Sequence, residues 1–124
     1  MLRDAMHARA LQGAEVARLR QRTHALIRRF RLPAALAEML PGSLTRSETR
    51  CGRPGCHCAA GPGHPAWTLS FTVKGRKRTE RVPQEWAEEV ARRVEAGRAL
   101  QEAVRDVLAA NAERFVWARK RRRQ

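Results

Sequence analysis

The sequence predicts an α+β fold: N-terminal helices, a small antiparallel β-hairpin or three-stranded sheet held by a metal clip, and a long C-terminal helix. Three observations lead there. All three cysteines and two of the four histidines crowd into the fourteen residues from Cys51 to His64. The run Trp67-Thr-Leu-Ser-Phe-Thr-Val73 alternates apolar and hydroxyl side chains strictly, which is the period of a strand with one buried face. From Pro83 onward, apolar residues keep helical spacing for more than thirty positions.

Composition narrows the class. At 124 residues the chain is the size of one domain, and its core is expected to be modest, because aromatics make up 5% and tyrosine is absent. No stretch approaches the roughly twenty apolar residues that span a bilayer, and Met1-Leu2-Arg3-Asp4 does not open like a secretory signal. The expected location is therefore cytoplasmic, nucleoid-associated if the partner is DNA, with no membrane partner. Lysine and arginine number 26 against 12 acidic residues, a net charge of +14 and a pI near 11.6. Most of that charge is arginine, whose planar fork suits phosphate, so a polyanionic partner is expected.

Taken in order, four segments emerge: N-terminal amphipathic helices over 1–41, a metal loop and hairpin over 42–83, a long amphipathic helix over 84–118, and a basic tail over 119–124. Met6, Val16, Leu19, Leu26, Ile27 and Phe30 recur at helical spacing from about Asp4 to Phe30, with Arg18, Arg22 and Arg29 on another face and a weak point near Gly13. Arg31-Leu32-Pro33 breaks that helix, because the residue before proline avoids helical angles. Pro33 can start a short second helix reaching Leu40, which Pro41-Gly42 ends.

Thr45 to Arg50 reads as an edge strand leading into Cys51. After the metal loop, Trp67, Leu69, Phe71 and Val73 share one face of a strand, expected to pack on Trp86 and Val90. Lys74-Gly75 marks a turn, and Arg76 to Val82 returns. Pro83-Gln84-Glu85-Trp86 begins the long helix, with Glu85, Glu88 and Glu89 where the helix dipole favours negative charge. Gly97 is its weak point. A helix of that length, about 50 Å, needs a cover: the N-terminal helix, or a second copy of the chain in a coiled-coil homodimer. The tail is expected to be disordered until it meets an anion.

The cysteine and histidine cluster has the makings of a zinc site. Zinc ligands must converge on a tetrahedron, so the chain between them must reverse tightly. Pro54-Gly55 suits a type II turn that would face Cys51 towards Cys56. Cys58, two residues on, would project to the same side in extended backbone. A second reversal at Gly61-Pro62-Gly63 could return His64 as the fourth ligand, with His57 the substitute. The expected set is Cys51, Cys56, Cys58 and His64 around a structural Zn2+. A disulfide with a spare thiol, a redox switch and three inert buried thiols are the other readings. Little apolar sequence surrounds the cysteines to bury them, and an odd cysteine count argues against pairing.

Charge is partitioned along the chain. Residues 84–118 hold five basic against seven acidic side chains, whereas 51–83 hold six against one. The candidate nucleic-acid contacts are therefore Arg46, Arg50, Arg53, Lys74, Arg76, Lys77, Arg78 and Arg81 around the hairpin, with Arg119, Lys120, Arg121, Arg122 and Arg123 in the tail. A charged strand such as Arg76 to Val82 also serves simply to block edge pairing. No carboxylate pair, Ser-His-Asp order or phosphate loop appears, so no enzyme and no small-molecule substrate is expected. The first reading is a zinc-stabilised nucleic-acid-binding protein, DNA before RNA. The alternative is an interaction or oligomerisation module that uses the long helix.

Gly42-Ser43-Leu44, Cys51-Gly52-x-Pro54-x-Cys56-x-Cys58, Gly61, His64, Leu69-Ser70, Gly75 and Val82-Pro83-x-Glu85 together resemble a small bacterial family, a domain of unknown function, over about residues 42 to 110. The resemblance implies an aromatic-rich hairpin and a long helix after the valine-proline pair, and an association with mobile elements. Where that family tends to carry tyrosines after the histidine, this chain has Pro65-Ala66-Trp67, so base stacking by those aromatics is not implied here.

Overall fold

The computed structural model describes residues 13–123. Helix α1 runs Ala14–Phe30; the part of the expected helix around Met6 lies outside the described residues. α1 ends where the sequence predicts. Arg31 turns left-handed (φ 52°, ψ 44°) and the Leu32 N–H donates to the Ile27 carbonyl at 2.9 Å, which satisfies a terminal carbonyl that the helix cannot. The expected second helix is a shorter 3-10 segment, Ala34–Glu38. Between Pro33 and Pro41 there is little room for an α-helical hydrogen-bond ladder.

Three strands follow: β1 Ser43–Thr49, β2 His64–Val73 and β3 Arg76–Val82. They form one antiparallel sheet in the order β1-β2-β3. β2 and β3 are joined by two residues, Lys74 (φ 51°) and Gly75 (φ 79°). Positive φ at both central positions is the type I′ geometry that matches strand twist. Pairing of Leu44 with Leu69, and of Trp67 with Val82, puts all four on one face of the sheet.

Gln84–Trp86 form a 3-10 turn that feeds helix α2, Ala87–Arg123. At 37 residues it is about 55 Å long. Its first turns lie on the sheet: Leu69, Val82, Val90 and Val94 are buried together, with Leu40, Leu44, Trp67, Phe71 and Trp86 packed around them. The expected apolar face of β2 is thus the core face, and Trp86 and Val90 meet it. Val73 is the exception at 43% exposure. It pairs with Arg76 next to the turn, at the far end of the strand from the Trp67–Val82 pair where α2 begins.

Two expectations about α2 are corrected. Gly97 is no weak point in a solvated helix: it is buried, and a Cβ there would lie 2.6 Å from the Leu40 carbonyl oxygen. The Leu40 N–H donates to the Arg93 carbonyl at 3.1 Å, so the backbone after the 3-10 segment crosses α2 at closest approach. The basic tail is not disordered but helical through Arg123. Lys120 to Arg123 fall in the last turn, where cations complement the negative end of the helix dipole. Every residue from 101 to 123 is exposed, so α1 does not cover the second half of α2; it meets the Ala34–Glu38 segment instead.

A Gly97→Ala variant tests the crossing. Helix propensity alone would stabilise it by about 1 kcal/mol, but the clash with Leu40 should dominate and lower the Tm by several degrees. A Tm at or above that of the wild type would refute the close approach.

Candidate metal centre

The loop from Arg50 to Gly63 joins the end of β1 to the start of β2, and Thr49 pairs with His64 across its neck. Its first reversal is a turn closed by the Cys56 N–H donating to the Arg53 carbonyl at 3.2 Å. Gly55 does not take the positive φ of a type II turn; Gly52, one residue after Cys51, does (φ 77°). Cys58 is not in extended backbone either. It sits in a 3-10 turn, His57–Ala59, in which the Ala59 N–H donates to the Cys56 carbonyl at 3.1 Å.

These local departures still bring the expected donors together. The sulfur atoms of Cys51, Cys56 and Cys58 and a ring nitrogen of His64 all lie within 4.8 Å of one another. Cys51 and Cys58 sulfurs are 3.5 Å apart, and Cys56 Sγ is 3.1 Å from His64 Nε2. With metal–sulfur bonds of about 2.3 Å, a tetrahedron has edges of about 3.8 Å, so the set fits around one ion with small adjustments. His57 is not in the set: its ring meets His64 edge to face with centroids 5.1 Å apart.

The loop's own dipoles favour thiolate. The Cys51 thiol is held below its ordinary value by the Arg53 N–H first, then by Cys58 and His64. Cys56 is brought down to about 6 by the Cys58 N–H, then by the Cys58 and His64 side chains. Cys58, only 1% exposed, is pushed the other way: the Cys51 N–H favours its thiolate, but burial and the two neighbouring thiols outweigh that. His64 is raised chiefly by Cys56. Three thiolates this close repel one another, and a bound cation removes that conflict. A three-sulfur, one-nitrogen tetrahedral set is the chemistry of a soft or borderline divalent ion, and it leaves no open coordination position.

Residues 15–92 match the family described as domain of unknown function DUF6788. The chain belongs to that family. The DUF6788 match takes in all but the first residue of α1, the whole sheet, all four donors and the start of α2, and it stops before the exposed half of that helix. No curated protein and no solved structure matches the chain.

The candidate cations are dispersed around this DUF6788 sheet, and several are already engaged. Arg50, just before Cys51, donates to the Cys58 carbonyl and braces the metal loop from outside; its position beside the first ligand was the available signal for that role. Arg46 pairs with Glu48 at 3.7 Å. Arg78 pairs with Glu80 at 3.0 Å and lies over the Phe71 ring, 5.7 Å from its centroid. Arg53 sits in the metal loop, Lys74 in the hairpin turn and Arg76 at the start of β3. Lys77 and Arg81 point to the face of the sheet opposite the core, as the register requires. Arg119, Lys120, Arg121, Arg122 and Arg123 form a separate patch at the tip of α2, about 33 Å along the helix from Gly97 to Arg119.

Elemental analysis checks the centre. We expect one metal ion per chain, lost in Cys56→Ser and His64→Ala and retained in His57→Ala. Metal retained in His64→Ala would remove that histidine from the ligand set.

Proposed function

We propose that this protein is a nucleic-acid-binding accessory protein, with duplex DNA as its target, whose sheet is clipped by a structural zinc ion held by Cys51, Cys56, Cys58 and His64. Zinc suits a closed, redox-silent tetrahedral site of this composition. Four protein ligands leave no place for an activated water, which supports a binding role rather than a catalytic one. The motif's resemblance to companions of mobile elements fits such an accessory role.

One observation carries the reading. In the packed half of α2, cations are neutralised locally: Arg92 and Arg93 pair with Glu89, and Arg98 with Glu95. Among the described residues, Arg53, Lys74, Arg76, Lys77 and Arg81 around the sheet, and Arg119 and Arg121 to Arg123 at the helix tip, form no ion pair. Cations left without carboxylates are the ones that release counterions from a polyanion. Affinity for a short labelled duplex should fall linearly on a log-log plot against salt, by about 0.9 in slope for each phosphate neutralised. Replacing Arg121, Arg122 and Arg123 by alanine should flatten that slope while leaving the melting transition unchanged. A salt-independent affinity would defeat the reading.

A second reading, self-association through α2, is favoured by one observation. Val104, Leu108 and Phe115 lie on one side of the helix and are 48%, 61% and 67% exposed. An antiparallel pair of copies would cover them and keep the two Arg119–Arg123 patches apart, whereas a parallel pair would set them side by side. Sedimentation should then show a concentration-dependent dimer that Leu108→Glu abolishes. A monomer at all concentrations would eliminate the pairing.

A further inference from the structure

The two faces of the sheet differ in a way that alternation within β2 alone does not reveal. Residues directly opposite one another in antiparallel strands share a face. On the core face, Arg46 pairs with Glu48 and Arg78 with Glu80, which leaves Arg76 as the strand cation there without a carboxylate among the described residues. The other face is built in rows of hydroxyls. Ser43, Ser70 and Thr79 form one row across all three strands, Thr45, Thr68 and Arg81 the next, and Thr72 pairs with Lys77. No carboxylate lies on that face, because Glu48 and Glu80 are both on the other.

This face is open. Ser43, Thr45, Thr72, Lys77, Thr79 and Arg81 are exposed, and Thr68 and Ser70 on the central strand are half-buried. The helix covers the opposite side, where Val90 and Val94 meet Leu69 and Val82. His64 belongs to the hydroxyl face, since it pairs with Thr49, and its ring is part of the metal cluster. The metal loop therefore borders this face at one end, and Lys77 stands at the other.

We propose that the hydroxyl face of the sheet is where duplex DNA is held, through its phosphodiester backbone and without reading base sequence; this rests on the nucleic-acid reading above. Serine and threonine hydroxyls with lysine and arginine are the side chains that position phosphates. The side chains between the two cations are short, so the surface is flat and cannot enter a groove to reach base edges. It has no stacking platform, because Trp67 and Phe71 pack around the core on the other face, so single strands gain nothing from aromatic contact. Lys77 and Arg81 are four residues apart on β3, about 13 Å, a span of about four base-pair steps measured along the duplex axis. Their charges reach phosphates while the hydroxyl rows between them donate hydrogen bonds.

Charge-matched substitutions test this, with the labelled duplex as probe. Lys77→Ala and Arg81→Ala should each flatten the salt slope by about one unit and weaken binding to unrelated sequences alike. Arg98→Ala removes the same charge from the packed half of α2, where Arg98 is paired with Glu95, and should leave the slope unchanged. Thr45→Val with Thr79→Val should weaken binding without changing the slope, since no charge is lost. Metal content and melting transition confirm that each variant is folded. Equal losses from Arg98, Lys77 and Arg81 would show a diffuse field and overturn the assignment while leaving DNA binding in place. Unchanged affinity in the threonine variant would overturn the role of the hydroxyls. A wild-type chain that binds no duplex at any salt would instead remove the parent reading, and this one with it.

Discussion

The convergence of three sulfurs and one imidazole within 4.8 Å is the constraint on which the rest of the structure depends. It joins the last residues of β1 to the first of β2, so closing the site also sets the pairing of Thr49 with His64 and, residue by residue, that of Leu44 with Leu69. A slip of one residue would turn every side chain to the opposite face. The buried cluster around Leu69, Val82, Val90 and Val94 is too small to enforce register alone in a sheet of only three strands. A cation held between the thiolates would supply folding energy where hydrophobic area is short.

A register set at the loop has consequences at a distance. It places every apolar residue of β2 from Trp67 to Phe71 under the start of α2, and every hydroxyl on the far side. The 3-10 turn at Gln84–Trp86 then launches α2 across the core face, and Gly97 lets the Met39–Leu40 backbone cross it closely. α2 therefore leaves the sheet with its second half unsupported by any described residue. Its tip carries cations about 33 Å from the core, a second charged site rather than an extension of the first. The match to the DUF6788 family ends before this exposed half, at residue 92. It ends inside the packed part of α2, before Val94 and Gly97, so the projecting half lies wholly outside the match.

The four candidate donors were legible because all of them fall within fourteen residues, so turn chemistry alone could bring them together. Even there the route differed: Gly52 rather than Gly55 takes the unusual angle, and Cys58 arrives on a 3-10 turn. Two reversals at the right spacing suffice, whatever their types. Alternation in Trp67 to Val73 predicted which face is buried, since the period of a strand is two. It could not say where along that face the helix would end its cover, and Val73 lies beyond it.

What the amino-acid sequence determined by itself is local: the donor set, the hairpin at Lys74-Gly75, the period of β2 and a long helix following Pro83, which begins at Ala87 after a 3-10 turn. Each depends on residues close in the chain, where backbone preferences and turn residues act directly. What only the tertiary structure decided is which distant groups share a surface. Ser43, Ser70 and Thr79 are far apart in sequence and form one row because three strands pair. Arg78 is engaged and Lys77 is not because adjacent side chains in a strand face opposite ways, one onto Phe71 and Glu80, the other into solvent. Gly97, a liability by helix propensity, is a point of contact because a segment nearly sixty residues earlier crosses there.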